Sequence, residues 1–290
     1  MIKMATSSPR RFMSARRIPF IKHLVVFFLP AIDGIANESD YESLCAALRY
    51  GDVTGKQTAA GRFSDLDPST LDILADGYSL HDVGISSGIT SLELQEQIAR
   101  RGIQGKFTIS DKFVEMYVSD GLVSRVYDAE QQLRNIYIGP FLFDPRLSVY
   151  FALSKYLFHL FKLVPSSHSQ RPFLLLAPSV LRAVQSNTLN FQSYDVMQPS
   201  VHKAYSFVRC MNLLNLSYFS SSEIIRAIGH LRDSLVEGGI LLFGRTRMPG
   251  VNDATFYQKI DGQLCPIKTV EMGTEIHALV EMGNSSGTTV

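Results

Sequence analysis

Apolar runs of strand length alternate with helical patterns along most of the chain. The apolar runs lie at residues 78–82, 107–110, 173–177, 204–210 and 240–245. Helical patterns cover residues 89–98 and 222–237, and Gly238 and Gly239 are expected to end the second helix. Strands that alternate with helices in this way predict an α/β fold built on a mostly parallel sheet.

The α/β pattern predicts one main domain with an insertion. We expect residues 77–290 to form this domain and residues 112–170 to be inserted into it. An antiparallel hairpin at 255–268, turning at Asp261 and Gly262, is expected to close the sheet.

The insertion combines a predicted hairpin at 123–138 with a predicted helix at 147–164. Most of the helix surface is large and apolar, and one narrow stripe holds five of its polar or small residues: Ser148, Ala152, Lys155, His159 and Lys162. Such a face suits a membrane surface or a lipid-like ligand. A lid packed on the core, or on the second copy in a homodimer, is the alternative.

The N-terminal region, residues 1–76, is expected to form an arm and a helical cap. Helical patterns lie at 38–49 and 67–74, with Asp67 as the N-cap of the second helix and Pro68 in its first turn.

The arm itself, residues 1–23, carries six Lys and Arg residues and no acidic one, and an apolar run follows at 24–32. This order resembles a signal peptide, but the run is too short to span a bilayer and Pro30 interrupts it. Contact with a membrane surface and a plain arm beside the core are the two other interpretations.

Charge and cysteine usage exclude several classes of protein. A chain of 290 residues with 46% apolar content can bury a large core. Its net charge of +1 argues against a nucleic-acid surface, which needs an excess of Lys and Arg. Three widely spaced cysteines match neither a disulfide framework nor a metal-ligand spacing. We therefore expect no metal and a cytoplasmic location, with membrane association as the open alternative.

Residues 82–88, Asp-Val-Gly-Ile-Ser-Ser-Gly, lie between a predicted strand and a predicted helix. Open α/β sheets bind nucleotides at such a strand–glycine turn–helix unit. Asp111 ends the next predicted strand, twenty-nine residues after Asp82, where a carboxylate can reach a ribose. The Gly-x-Gly-x-x-Gly fingerprint is absent, which disfavours a nicotinamide dehydrogenase.

These motifs resemble those of class I S-adenosylmethionine-dependent methyltransferases. The family's first motif, Asp-x-Gly-x-Gly-x-Gly, corresponds to Asp82, Gly84, Ser86 and Gly88, with Ser86 in place of the central glycine. The acidic residue that ends the family's second strand corresponds to Asp111. The resemblance implies that the two glycines contact the cofactor through their backbone, and that Asp111 accepts the ribose hydroxyls. Asp82 would meet the cofactor's ammonium or orient the turn.

Two further positions follow in the family's order. Asp195 corresponds to the acidic residue that flanks the adenine. Residues 205–215 are similar to the Cys-Arg-Asn-Val-Leu run of chemotaxis receptor methyltransferases, which places Asn212 near the methionine part of the cofactor. The resemblance implies a doubly wound, Rossmann-like, mostly parallel seven-stranded α/β sheet with a closing antiparallel hairpin. It also implies S-adenosyl-L-methionine as the cofactor.

The sequence does not identify a general base. His202 and Tyr218 are weak candidates for a catalytic role, since lone histidines and aromatic residues are more often structural. We expect methyl transfer to a small, lipid-like acceptor, such as a fatty-acid carboxylate that is ionised at neutral pH and needs no base. The alternative is a non-catalytic S-adenosylmethionine-binding or scaffold protein, in which Ser86 marks a degraded site.

Overall fold

The computed structural model describes residues 27–28, 41, 60–119, 123–138, 141–143, 170–200, 204–248 and 250–285. The predicted basic arm, the predicted helix at 147–164 and His202 lie outside these residues. Of the predicted helix at 38–49, only Tyr41 is described, and it is helical.

The chain divides into two compact units. One comprises Met1–Arg49 and Tyr117–Arg171, and the other comprises Tyr50–Met116 and Pro172–Val290. All the residues that the sequence predicts for the cofactor site belong to the second unit.

The described residues contain thirteen strands and five helices. The strands are β1 Phe27–Phe28, β2 Tyr78–Val83, β3 Gly105–Asp111, β4 Glu115–Ser119, β5 Val123–Asp128, β6 Leu133–Ile138, β7 Phe141–Phe143, β8 Gln170–Leu174, β9 Asn190–Ser193, β10 Tyr205–Met211, β11 Leu235–Met248, β12 Val251–Ile260 and β13 Gln263–Val270. The helices are α1 Asp67–Ile73, α2 Ile89–Arg100, α3 Pro178–Gln185, α4 Ser221–Ser234 and α5 His277–Ser285.

A seven-stranded sheet forms the centre of the second unit, in the order β13-β12-β11-β10-β2-β3-β9. Neighbouring strands from β9 to β11 pair in parallel, whereas β12 and β13 are antiparallel. The chain builds the sheet outward from β2 to β9 on one side and then from β10 onward on the other. This is the doubly wound arrangement, so the predicted Rossmann-like fold with a closing hairpin is confirmed.

The central strands are buried on both faces, as parallel strands covered by helices should be. Every residue of β10 except Ser206 is buried, and so is every residue of β2 except Ser79. The closing hairpin turns at Asp261 and Gly262, which both have positive φ, 51° and 76°. Positive φ at both central residues is the geometry of the tight turns that suit twisted strands.

Two predicted boundaries in the second unit are wrong. Helix α4 ends at Ser234, so Gly238 and Gly239 do not end it but lie near the start of β11. The N-cap of α1 is Leu66 rather than Asp67, and Asp67 is the first residue of the helix. The Asp67 carboxylate is therefore available for a different contact.

The other sheet has six strands, in the order β1-β7-β6-β5-β4-β8. β5 and β6 pair antiparallel, which confirms the predicted hairpin at 123–138. The apolar run at 173–177 was expected in the main sheet, but its first residues belong to β8 of this sheet. Among the described helices, none has the length and apolar character needed to cross a membrane.

Candidate active site

The winding of the main sheet reverses between β2 and β10. These two strands pair in parallel, with Val83 opposite Cys210 at their carboxyl ends. The connections that leave them diverge to opposite sides, and ligands of open α/β sheets bind in the crevice that opens there. The crevice is bordered by residues 84–88 after β2 and by residues 212–220 after β10.

The predicted glycine turn forms at this point. The N–H groups of Gly84 and Ile85 both donate to the carbonyl oxygen of Ser110, at 2.8 and 3.2 Å. Gly84, Ser86 and Gly88 all have positive φ, 76°, 58° and 82°. Ser86 therefore adopts a left-handed backbone, which glycine favours, and the turn forms with a side chain at its centre.

Asp111 joins the end of β3 to the turn. Its Oδ2 accepts a hydrogen bond from the N–H of Ser86 at 2.8 Å, and its Oδ1 accepts one from the N–H of Phe113 at 2.8 Å. The carboxylate is largely buried. The two contacts fix the orientation of the carboxylate at the end of β3, and its contact with a ribose stays a prediction.

Asp195 lies two residues after β9, the strand that pairs with β3. Its Oδ2 pairs with the Lys112 ammonium at 2.8 Å, and its Oδ1 accepts the N–H of Met197 at 2.9 Å. The neighbouring Tyr194 donates its N–H to the carbonyl oxygen of Asp111 at 3.5 Å. The ends of β3 and β9 thus bring Asp111 and Asp195 to the same edge of the sheet.

Asn212 lies across the crevice, directly after β10. It has a left-handed backbone with φ 57°, and its side chain contacts Thr246 of β11 twice. Asn212 Nδ2 donates to Thr246 Oγ1 at 3.2 Å, and its Oδ1 accepts the N–H of Thr246 at 2.7 Å. The carboxamide is therefore fixed in orientation at the carboxyl edge of β10 and β11.

Asp82 points into the protein core. Its Oδ2 accepts hydrogen bonds from Ser91 Oγ at 2.6 Å and from Arg209 Nη2 at 2.5 Å. Arg209 also donates to Asp67 Oδ1 at 3.3 Å and to the carbonyl oxygen of Thr90 at 3.1 Å. The contacts that Asp82 makes with the protein orient the turn from beneath, while a contact with a cofactor ammonium stays a prediction.

Asp67, Asp82 and Arg209 form a buried charged group. Burial and the sharing of one guanidinium explain the pKa shifts of Asp67 and Arg209. Burial raises the pKa of Asp67 to about 6, against the attraction of Arg209. Burial alone would lower the pKa of Arg209, but the Asp82 and Asp67 carboxylates raise it. Both shifts agree with a guanidinium that pairs mainly with the nearer carboxylate, Asp82. The attraction between Arg209 and Asp67 is then too weak to offset the hydration that the Asp67 carboxylate loses on burial.

Tyr218 is nearly half exposed at 46% and follows Asn215, whose carbonyl oxygen accepts its N–H. This contact involves only the backbone, and a catalytic role for the Tyr218 phenol stays a prediction. Burial raises the pKa of Cys210 to about 12, which makes this thiol a poor nucleophile at neutral pH.

His81, a histidine inside the first predicted strand, is buried beneath this edge of the sheet. His81 Nε2 lies 2.8 Å from Ser110 Oγ and 3.1 Å from Gln192 Nε2, and the rings of Tyr194 and Tyr205 flank it. The contacts connect β2, β3 and β9, so His81 supports the strand ends that carry Asp111 and Asp195.

The two glycines of the turn are also required by packing inside the protein. A Cβ at Gly84 would lie 2.9 Å from Leu213 Cδ2, and a Cβ at Gly88 would lie 2.7 Å from Val180 Cγ1. The turn therefore leaves room for Leu213 and Val180 as well as adopting a backbone that glycine favours.

We expect Gly88→Ala to destabilise the protein by about 2 kcal/mol or more, from the left-handed backbone and the contact with Val180. Gly102 is the matched control because it has φ 71° and open space around its Cβ position. Gly102→Ala should cost about 1 kcal/mol, for the backbone alone. Urea unfolding measures both, and equal losses would show that Val180 yields without cost.

Comparisons with known proteins give similar folds and no sequence relative. No protein-family model and no curated protein matches this chain. Among solved structures, a protein from Pyrococcus horikoshii OT3 is 11% identical, with a TM-score of 0.35, over 78% of this chain and 80% of its own. Phosphoethanolamine N-methyltransferase 1 of Haemonchus contortus, solved with phosphoethanolamine and S-adenosylhomocysteine, is 13% identical, with a TM-score of 0.31, over 64% of this chain and 27% of its own.

The CMeT domain of the citrinin polyketide synthase is 11% identical, with a TM-score of 0.28, over 58% of this chain and 28% of its own. This chain thus spans less than a third of the citrinin synthase and Haemonchus chains. Because all three TM-scores lie below 0.5, the likeness identifies neither a cofactor nor a substrate, and both have to be inferred from the site.

Proposed function

We propose that this protein is an S-adenosylmethionine-dependent methyltransferase. One observation carries the proposal: at the reversal of the sheet, the Asp111 carboxylate holds the N–H of Ser86 in the glycine turn. A turn that presents its backbone and an acidic strand end that faces a ribose are the two elements that a nucleoside cofactor needs. Asp195 and Asn212 follow at the ends of the adjacent strands, in the order that the family resemblance implies.

The chain's own part in the reaction is binding and orientation. S-adenosylmethionine supplies an electrophilic methyl group, so the hard chemical step belongs to the cofactor. The protein has to hold the acceptor in line with the methyl–sulfur bond and keep water away. Asn212, clamped by Thr246, is rigid enough to position the methionine end of the cofactor beside the acceptor.

The acceptor class rests on the sequence. The wide apolar face at 147–164 favours a lipid-like acceptor, and a fatty-acid carboxylate would be methylated on oxygen without a general base.

A non-catalytic S-adenosylmethionine-binding or scaffold protein is the second candidate. Two contacts favour it: Leu213 packs against Gly84 at the crevice, and Arg209 forms an ion pair with the Asp82 carboxylate. In such a protein the turn would be maintained for stability, and the site would bind the cofactor without turnover.

Calorimetry on the purified chain tests the proposal directly. We expect S-adenosylmethionine and S-adenosylhomocysteine to bind with Kd values in the micromolar range, and NAD⁺ to give no heat. No binding of either sulfur ligand would overturn the proposal. Transfer of a radiolabelled methyl group to saturated fatty acids of increasing chain length then separates the candidates, because the scaffold protein would bind the cofactor and label none of them.

A further inference from the structure

The segment at residues 61–67 is held at both ends, and Phe63 and Leu66 within it are buried. At its start, the N–H of Gly61 donates to both carboxylate oxygens of Glu93 on α2, at 2.8 and 3.0 Å. At its end, Asp67 enters the buried group around Arg209. We call residues 61–67 the strap.

The middle of the strap is joined to the candidate site by a chain of hydrogen bonds. Arg62 Nε and Asn212 Nδ2 both donate to Thr246 Oγ1, at 3.0 and 3.2 Å, and this hydroxyl donates to Asn252 Oδ1 at 2.7 Å. Asn252 Nδ2 in turn donates to the carbonyl oxygen of Arg62 and to Asp65 Oδ1, at 2.8 and 2.6 Å. The hydroxyl of Thr246 thus makes one donated and two accepted bonds, which is its full capacity. The position of the strap and the orientation of Asn212 are therefore coupled.

The buried end of the strap carries an excess of negative charge. Two carboxylates, Asp82 and Asp67, share the single guanidinium of Arg209, and all three side chains are almost completely buried. The shorter contact, 2.5 Å against 3.3 Å, belongs to Asp82. With both carboxylates ionised, the group carries a net negative charge in a dry site, and one added proton makes it neutral.

Among the residues that the structure describes, Arg209 is the one cation found to act on the Asp67 carboxylate. The charged groups that act on its carboxylate are Arg209, which favours ionisation, and Asp82 and Glu93, which oppose it. Gln97 of α2 donates to Asp67 Oδ2 at 2.8 Å and is uncharged. Two cations on neighbouring elements have other partners: Arg101 pairs with Asp72, and Lys268 donates to Ser69.

We propose that the strap is a proton-sensitive cover of the candidate site, which docks more tightly when Asp67 carries a proton. Release of the strap would hydrate the Asp67 carboxylate and remove the Arg62 hydrogen bond to the Thr246 hydroxyl, which also binds Asn212. The site that the strap covers is the one assigned under the proposed function, but the docking itself needs no ligand.

The direction of the pH dependence follows from the charge on Asp67. Its pKa is raised from 3.8 to about 6 in the docked state, so the contribution of the proton is fully present below pH 3.8. It is lost as the pH rises through about 6. The docking equilibrium should therefore be about tenfold weaker at pH 7 than at pH 5, because one pH unit below the raised pKa corresponds to a factor of about ten.

Hydrogen–deuterium exchange of the strap amides in the full-length chain tests this proposal. The comparison is between wild type and Asp67→Asn at the same pH, because the intrinsic exchange rate then cancels. The carboxamide of this variant stays neutral and, with the Gln97 carboxamide turned over, can replace the hydrogen bonds of a protonated Asp67. We expect the variant to exchange more slowly than wild type at pH 7, with the ratio of the two rates shrinking about tenfold by pH 5.

Asp72→Asn is the matched control, since Asp72 lies on the same helix in an exposed pair with Arg101. It should leave the exchange ratio unchanged with pH. A ratio for Asp67→Asn that is constant between pH 5 and pH 7, or a variant that exchanges faster than wild type at both, would overturn the strap proposal. Because these measurements use the protein without ligand, their failure leaves the cofactor assignment intact, and calorimetry with S-adenosylhomocysteine tests that separately.

Discussion

Replacing Arg209 with methionine is expected to lower the free energy of unfolding by about 3–5 kcal/mol at pH 7. The methionine fills much of the volume but leaves Asp82 and Asp67 buried without a counter-charge. Arg209 is only 1% exposed, and its partners' side chains are 6% and 5% exposed, so water cannot replace the lost contacts. The destabilisation should be smaller at pH 5, because burial raises the pKa of Asp67 to about 6 and this carboxylate then carries a proton.

Urea denaturation at pH 7 and pH 5 measures this loss. Arg245→Met is the matched control, because Arg245 forms an exposed pair with Glu275 and its removal should cost about 0–1 kcal/mol. Neutralising the partners together, in Arg209→Met with Asp82→Asn and Asp67→Asn, should restore part of the stability. A loss below about 1 kcal/mol in the single variant would mean that the carboxylates carry no uncompensated charge.

The buried pairing of Arg209 with Asp82 and Asp67 also shows what the sequence could and could not predict. An arginine inside the apolar run at 204–210 implies a buried partner, because a lone charge is too costly in a strand covered on both faces. Which acid it meets depends on the register of two strands far apart in sequence. The structure places Arg209 opposite Asp82, and only that pairing shows that the first-motif carboxylate has a protein partner.

Local patterns predicted the elements whose signals are local. The glycine turn, the hairpin at Asp261 and Gly262 and the strand that ends at Asp111 all formed where their residues indicated. The third parallel strand, β9, was only weakly marked, because it is a four-residue edge strand with polar and partly exposed positions. The run at 173–177 was assigned to the wrong sheet, since an apolar run does not reveal which strands it will pair with.

Replacing Asp111 with alanine is expected to weaken the binding of S-adenosylhomocysteine by about 100-fold or more. Two charge-assisted hydrogen bonds to a ribose are each worth about 1.5–3 kcal/mol, and the variant loses both. It also removes the acceptors of the Ser86 and Phe113 N–H groups, so the unliganded protein should lose about 1–3 kcal/mol. Calorimetry measures the affinity, and urea denaturation without ligand measures the structural share.

Paired ligands separate a ribose contact from a distorted turn. Asp111→Asn keeps the volume and one acceptor oxygen, which makes it the gentler variant for this test. Adenosine and 2′,3′-dideoxyadenosine differ only in the two hydroxyls, so wild type should prefer adenosine and Asp111→Asn should discriminate much less between the two. If both proteins discriminate equally, the carboxylate does not contact the ribose, and Asp111 serves only to hold the turn. The size of the change in discrimination gives the coupling between Asp111 and the hydroxyls, free of any general loss of affinity that the altered turn causes.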